Sequence, residues 1–165
     1  MKSVLFVCTG NTCRSSMAEG IFNDAVSRSD NPAMELRAYS AGLAAYDGEY
    51  ANPKALKVLR ELFDIDIKSH RARRITQSDV MDALYILTMT RNHKDAIIHM
   101  FPEAKNKTYT LKEFISDTKF DKASLDYNFS MDIPDPYCMS EEVYKRCAFE
   151  IKDAVLKLIE KLKEY

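Results

Sequence analysis

Val4-Leu5-Phe6-Val7-Cys8-Thr9-Gly10-Asn11-Thr12-Cys13-Arg14-Ser15 joins a continuous apolar, β-prone run to a polar loop, and a helical pattern follows with Met17, Ile21, Phe22 and Ala25 on one face. That order predicts strand, loop and helix. The pattern recurs down the chain. Leu36 to Ser40 is a second strand candidate, ending in Ala41-Gly42. The helix after it takes Asn52 as cap and Pro53 as its first residue, with Ala55, Leu59, Leu62 and Phe63 inward. Ala83 to Leu87 is a third apolar run, and Thr90 can cap a helix carrying Ala96, Ile97 and Met100. Thr108 to Leu111 is a weaker fourth strand. Ser140, Glu141 and Glu142 open a long final helix whose apolar stripe runs Val143, Cys147, Ile151, Val155, Leu158 and Leu162.

Strands alternating with helices predict an α/β fold, a parallel sheet with helices on both faces. Ligands bind such sheets at the carboxyl ends of the strands, which puts the Cys8 to Arg14 loop at the functional edge. A chain of 165 residues is the size of one domain, 1–165, and 46% hydrophobic with 30% charged residues is a globular composition. The 24 Lys and Arg nearly cancel the 25 Asp and Glu, which argues against nucleic acid and anionic membranes as partners. The apolar run at the start is too short for a signal peptide core, and no later segment could span a bilayer. Cys8, Cys13, Cys138 and Cys147 form no CxxC pair or disulfide framework, and with His70, His93 and His99 they make no zinc pattern. The expectation is a reducing, cytoplasmic setting. Asp117 to Pro134 lacks clear periodicity and reads as a lid-like loop or a mobile insertion.

Cys8 and Arg14 stand six positions apart around small polar residues between a strand and a helix. Backbone N–H groups turned inward, the positive end of the helix and the fork of Arg14 can together bind a tetrahedral oxyanion such as phosphate. The same field favours Cys8 as a thiolate nucleophile. No Gly-Lys-Ser/Thr closes the segment, which excludes a Walker phosphate loop. A nucleophile at phosphorus needs an acid to protonate the departing atom. Asp135 is the candidate, because Pro136 holds the residue before it extended and stiffens the turn. Asp132 is the rival in the same stretch.

The chain resembles the low-molecular-weight protein tyrosine phosphatases over nearly its whole length. The resemblance rests on Val7 to Ser15, Met17-Ala18-Glu19, Ser40-Ala41-Gly42, Ser69 to Arg73 and Asp135-Pro136-Tyr137. It implies four parallel strands, a cysteinyl-phosphate intermediate, no metal or cofactor, and Cys8, Arg14 and Asp135 as the catalytic residues, with Asp135 the general acid. Thr9, Gly10, Asn11, Thr12, Cys13 and Ser15 would hold the substrate phosphate, and Tyr46 and Tyr137 would wall the pocket. Within that group Asn11 would shape the loop and Ser15 would donate to the Cys8 sulfur, while Ser40 and His70 would buttress Asn11. Cys13 would form a reversible disulfide with Cys8 under oxidation. Ser16 stands where the family usually has proline, and the segment before Asp135 is longer.

The implied partners are phosphorylated proteins or peptides, with phosphate as product. Thr12, the Met89-Thr90 junction and Thr110-Leu111-Lys112-Glu113-Phe114 resemble the protein arginine phosphatase branch, whose threonine hydroxyl suits a guanidinium. Tyr46 and Tyr137 match the walls of a phosphotyrosine slot, although aromatic faces also stack on guanidinium. The balance favours phosphoarginine, with phosphotyrosine the alternative. Arsenate reductase on the same fold would need further cysteines, and Ala83 to His99 holds none. A non-catalytic phosphate-binding module would need neither Cys8 nor Asp135. Lys68, Arg71, Arg73 and Arg74 form a basic cluster, read as solvated surface or as an attractor of acidic substrate.

Overall fold

The computed structural model describes residues 2–29, 35–116 and 131–164. Four parallel strands, β1 (Lys2–Cys8), β2 (Leu36–Gly42), β3 (Tyr85–Thr88) and β4 (Thr108–Thr110), form one sheet in the order β2-β1-β3-β4. Between and after them run α1 (Arg14–Ser27), α2 (Pro53–Phe63), α3 (Gln77–Asp82), α4 (Arg91–Met100), a 3-10 segment Pro102–Lys107, α5 (Leu111–Ile115) and α6 (Glu141–Leu162). Of the segment from Asp117 to Pro134, residues 117–130 lie outside the described residues.

The side-chain period of two along a strand divides the sheet into two apolar faces. Val4 and Phe6 join Ala38 and Leu87 under α1, α2, α5 and α6, where Phe22, Leu59, Tyr144 and Ile151 complete the core. Leu5 and Val7 face the other way with Ala41 and Ile86, covered by Val80 of α3 and Ile97 of α4. Every strand residue from Val4 to Cys8 is therefore buried, which accounts for a continuous apolar run rather than an alternating one.

Local chemistry sets the helix ends. Asn52 accepts from Lys54 N with Pro53 in the first turn, Thr90 accepts from His93 N, and Ser140 accepts from Val143 N. Two expectations need correction. The third strand starts at Tyr85 because Ala83 closes α3, its N–H donating to Asp79 O. The fourth ends at Thr110, whose side chain accepts from Glu113 N in a capping box and turns Leu111 into a helix. In α4 the buried residues are His93 and Ile97, while Met100 is exposed.

The chain passes from β1 to β2 on one side and then returns across β1 to β3 on the other. The carboxyl end of β1 is therefore the topological switch point, where the loops diverge and leave a crevice. Cys8 is its last residue.

Candidate active site

The loop between Cys8 and Arg14 is held by its carbonyls. Cys8 O accepts from Leu43 N at 3.0 Å, Thr9 O from Ala44 N at 3.0 Å, Thr12 O from Asn52 N at 2.9 Å and Cys13 O from Met17 N at 3.0 Å. Asn11 O lies 2.7 Å from His70 Nε2. In a trans peptide the N–H that follows a carbonyl points the opposite way, so the N–H groups of Thr9, Gly10, Thr12, Cys13 and Arg14 turn from these partners. Those five residues line a pocket of about 230 Å³ together with Cys8, Ala44, Tyr46, Glu49, Asp135 and Tyr137. Among the described residues no side chain caps the first turn of α1, which opens on this loop, so its donors keep their capacity for an anion. Ser16 takes the place of the expected proline by donating its hydroxyl to Cys13 O at 2.8 Å.

Asn11 organises the loop from within. It adopts a left-handed φ of 57°, a conformation that asparagine tolerates better than most residues. Its Oδ1 accepts from Arg73 N at 3.0 Å, and its Nδ2 donates to Ser15 Oγ and to Ser40 Oγ, both at 2.9 Å. With an incoming hydrogen bond from Asn11, the Ser15 hydroxyl keeps its own hydrogen for Cys8 Sγ, 2.8 Å away. Asn11 N also donates to that sulfur at 3.3 Å. Ser40 passes its hydrogen to Glu19, whose carboxylate lies 3.9 Å from His70 Nδ1. Gly42 allows the loop this close to β2, since a Cβ there would sit 2.5 Å from Thr9 O.

The guanidinium of Arg14 is buried at the pocket floor, with Nη1 donating to Ile133 O at 2.9 Å and Nη2 3.5 Å from Asp135 Oδ2. Asp135 is half exposed, and its Oδ1 accepts from Tyr137 N at 3.1 Å. The rival carboxylate is engaged elsewhere: Asp132 Oδ1 accepts from Arg91 N at 2.7 Å, at the start of α4. Tyr46 and Tyr137 stand at the pocket mouth, 81% and 61% exposed.

Several contacts of the loop come from residues that sequence reading passed over. His93 Nε2 lies 2.9 Å from Thr9 Oγ1, and burial, with Arg14 adding to it, pushes its pKa down to about 4. Tyr144 OH lies 3.4 Å from Cys13 Sγ. Burial raises the pKa of Cys13 and pushes Cys147 up to about 12. Glu49 reaches the pocket from the loop after β2, a position that the strand-end rule alone could have flagged. The basic cluster is largely consumed within the chain: Arg73 pairs with Asp79 at 2.7 Å, Arg71 stacks on Tyr50, and Lys68 lies 3.7 Å from Asp66. Among the described residues no group of three or more His, Cys, Asp or Glu is placed to hold a metal ion, and no helix is long and apolar enough to cross a membrane.

The family described as low molecular weight phosphotyrosine protein phosphatase matches residues 3–165. The chain belongs to that family. As a low-molecular-weight protein phosphatase it is 38% identical over 159 residues to the protein-arginine-phosphatase of Geobacillus stearothermophilus, covering 96% of this chain and 95% of that one. The solved YwlE arginine phosphatase from Geobacillus stearothermophilus superposes with a TM-score of 0.84 at 36% identity, covering 99% of this chain and 94% of that one. The solved low molecular weight protein tyrosine phosphatase from T. tengcongensis gives 0.82 at 40% identity, with 98% and 99% covered. This phosphatase thus has relatives named for each of the two side chains.

Proposed function

We propose that this phosphatase hydrolyses phosphoarginine on proteins through a cysteinyl-phosphate intermediate. The observation that carries the chemistry is the convergence of Cys8, Arg14 and Asp135 on one pocket, beneath loop N–H groups freed by their outward carbonyls. Phosphate seats on those donors and on the Arg14 fork. The Cys8 thiolate, supported by Ser15 Oγ and Asn11 N, attacks phosphorus as the P–N bond breaks, and the Asp135 carboxyl gives its proton to the departing guanidine nitrogen. In the second step the Asp135 carboxylate takes a proton from water. The hydroxyl forms the new P–O bond, the P–S bond breaks, and phosphate and the thiolate are released.

Thr12 supports arginine as the phosphorylated residue. It lines the pocket, and its hydroxyl has a single weak neighbour in Cys13 Sγ at 3.8 Å among the described residues, which leaves it able to accept from a guanidinium. The relatives named arginine phosphatase support the same reading. The exposed rings of Tyr46 and Tyr137 favour the second reading, a phosphotyrosine slot. Four unpaired cysteines are consistent with a cytoplasmic setting.

Matched phosphoarginyl and phosphotyrosyl peptides test this reading. The wild type should show the higher kcat/KM on phosphoarginine, and Thr12→Ile should reverse or reduce that preference by roughly ten- to hundredfold for one lost polar contact. A wild type that prefers phosphotyrosine, with a ratio unmoved by Thr12→Ile, rejects arginine. Cys8→Ser should abolish turnover and keep vanadate binding; turnover near the wild-type rate rejects the covalent route.

A further inference from the structure

The pocket carries its positive charge at the floor and a negative charge at the mouth. Arg14 is buried beneath the loop, whereas Glu49 is exposed on the wall beside Tyr46 and Tyr137. The position of Glu49 is set by backbone. Gly48, at a φ of 90°, donates its N–H to Ala72 O at 2.8 Å, and Ala72 N donates back to Glu49 O at 2.7 Å. Tyr50 then bridges to Arg71 in antiparallel fashion, and Glu49 N donates to Tyr46 O at 3.3 Å. Four neighbouring contacts therefore hold the main chain on either side of Glu49. Its carboxylate has no Lys, Arg or His within ion-pair distance among the described residues, although Arg71 is committed only one bridge away to the face of Tyr50 at 3.8 Å. The charge is felt across the mouth: the pKa of the Tyr137 hydroxyl is raised, by the neighbouring Cys138 first and by Glu49 as well.

An unpaired carboxylate at the mouth of a phosphate pocket works against an ordinary phosphate monoester, which brings negative charge and no compensating cation. Phosphoarginine differs in kind. Its phosphoryl dianion is bonded directly to a guanidinium that retains a positive charge at neutral pH. Seating the phosphoryl group on the loop and Arg14 puts the guanidinium one bond further out, on the side of the pocket that Glu49, Tyr46 and Tyr137 line. The substrate then presents negative charge to the positive floor and positive charge to the negative, aromatic mouth.

We propose that Glu49 is a specificity-determining residue that selects phosphoarginine by attracting the guanidinium cation at the pocket mouth. This rests on the arginine reading of the same pocket and deepens it, since Thr12 offers a neutral hydrogen bond and Glu49 a charge. Unlike the loop residues, Glu49 makes no side-chain hydrogen bond to Cys8, Arg14 or Asp135 among the described residues, so its substitution leaves the reacting groups in place.

The test measures kcat/KM on phosphoarginyl and phosphotyrosyl peptides of the same flanking sequence, at low and high salt, for wild type, Glu49→Gln and Glu49→Asp. Removing one exposed charge near a cation should lower kcat/KM on phosphoarginine by roughly three- to tenfold, with phosphotyrosine unchanged or slightly faster. Glu49→Asp should recover most of the loss, the difference between wild type and Glu49→Gln should shrink in high salt, and inorganic phosphate should inhibit Glu49→Gln more tightly. The wild-type ratio of the two kcat/KM values tests the arginine reading, and the change in that ratio on substitution tests Glu49. A wild type that favours phosphotyrosine, with a ratio that still falls in Glu49→Gln, rejects the first and upholds the second. A ratio equal in wild type and Glu49→Gln within twofold overturns the role of Glu49, as does a parallel loss on both substrates, which would mark a structural part in the turn.

Discussion

Arg14 ties the phosphate loop to the segment that carries Asp135, its Nη1 on Ile133 O at 2.9 Å and its Nη2 3.5 Å from Asp135 Oδ2. Because both contacts use one buried guanidinium, the anion binding and the placement of the acid proposed above are a single arrangement. A lysine there would keep the charge but lose the fork. Arg14→Lys should therefore lower kcat/KM on an activated aryl phosphate by roughly 10²- to 10³-fold and weaken vanadate binding as well. Near wild-type vanadate affinity in that variant would show that Arg14 does not hold the anion.

The two carboxylates before and after Ile133 separate by what they bind. Asp135→Asn should slow substrates with poor leaving groups by roughly 10²- to 10⁴-fold and an activated aryl phosphate much less. Asp132 accepts from Arg91 N at 2.7 Å, so Asp132→Ala should cost about 1 kcal/mol of stability at the start of α4 and leave the leaving-group dependence as in wild type. Rates plotted against leaving-group basicity for both variants, with urea unfolding beside them, decide the assignment. A steeper loss for Asp132→Ala would exchange the roles.

What could be read in the chain was local. Strand, loop and helix follow from Val4 to Phe22, and the caps at Asn52, Thr90 and Ser140 sit beside the turns they close. The short helices α3 and α5 are too brief to show helical periodicity, yet each carries a capping box, Thr76 with Asp79 and Thr110 with Glu113. In the site, Cys8, Asn11, Arg14 and Ser15 fall within one turn of chain. The partners that finish it come from far away: Thr9 meets His93 across 84 positions and Cys13 meets Tyr144 across 131. Their identity depends on strand order and helix packing, which no spacing within a motif encodes. His93 is buried on the same helix face as Ile97, and its Nε2 finds a partner in Thr9 Oγ1 at 2.9 Å.

That burial has a pH signature. The His93 pKa is pushed down from 6.5 to about 4, by burial first and Arg14 second. Between those values the unfolded chain binds the proton and the folded chain does not, so stability rises with pH across this window and is lost as pH falls from about 6.5 toward 4. The full shift corresponds to about 3 kcal/mol. Urea unfolding measured at several pH values should show this slope in wild type and a shallower one in His93→Gln, whatever the absolute stability of the variant. Equal slopes would mean that His93 titrates alike in both states.

The last expectation concerns oxidation, where the raised pKa of Cys13 sets the pace. Peroxide is expected to take the Cys8 sulfur to a sulfenic acid. The Cys13 sulfur would then attack the Cys8 sulfur, forming the S–S bond and releasing water with the Cys13 proton. Burial keeps Cys13 largely a thiol, so closure should accelerate as pH rises, and Tyr144, whose hydroxyl lies 3.4 Å from Cys13 Sγ and lowers that pKa, should assist it. Mild peroxide should thus inactivate the wild type reversibly, with a dithiol restoring activity. Cys13→Ser should lose activity irreversibly as Cys8 proceeds to sulfinic and sulfonic acids, and Tyr144→Phe should close more slowly and lose a larger fraction irreversibly. Cys147, held up at about 12 by burial, should stay outside this chemistry. Mass spectrometry of the reversibly inactivated protein is the direct measurement: a Cys8–Cys13 disulfide is expected, and its absence, or a disulfide to Cys138 in its place, would refute Cys13 as the partner.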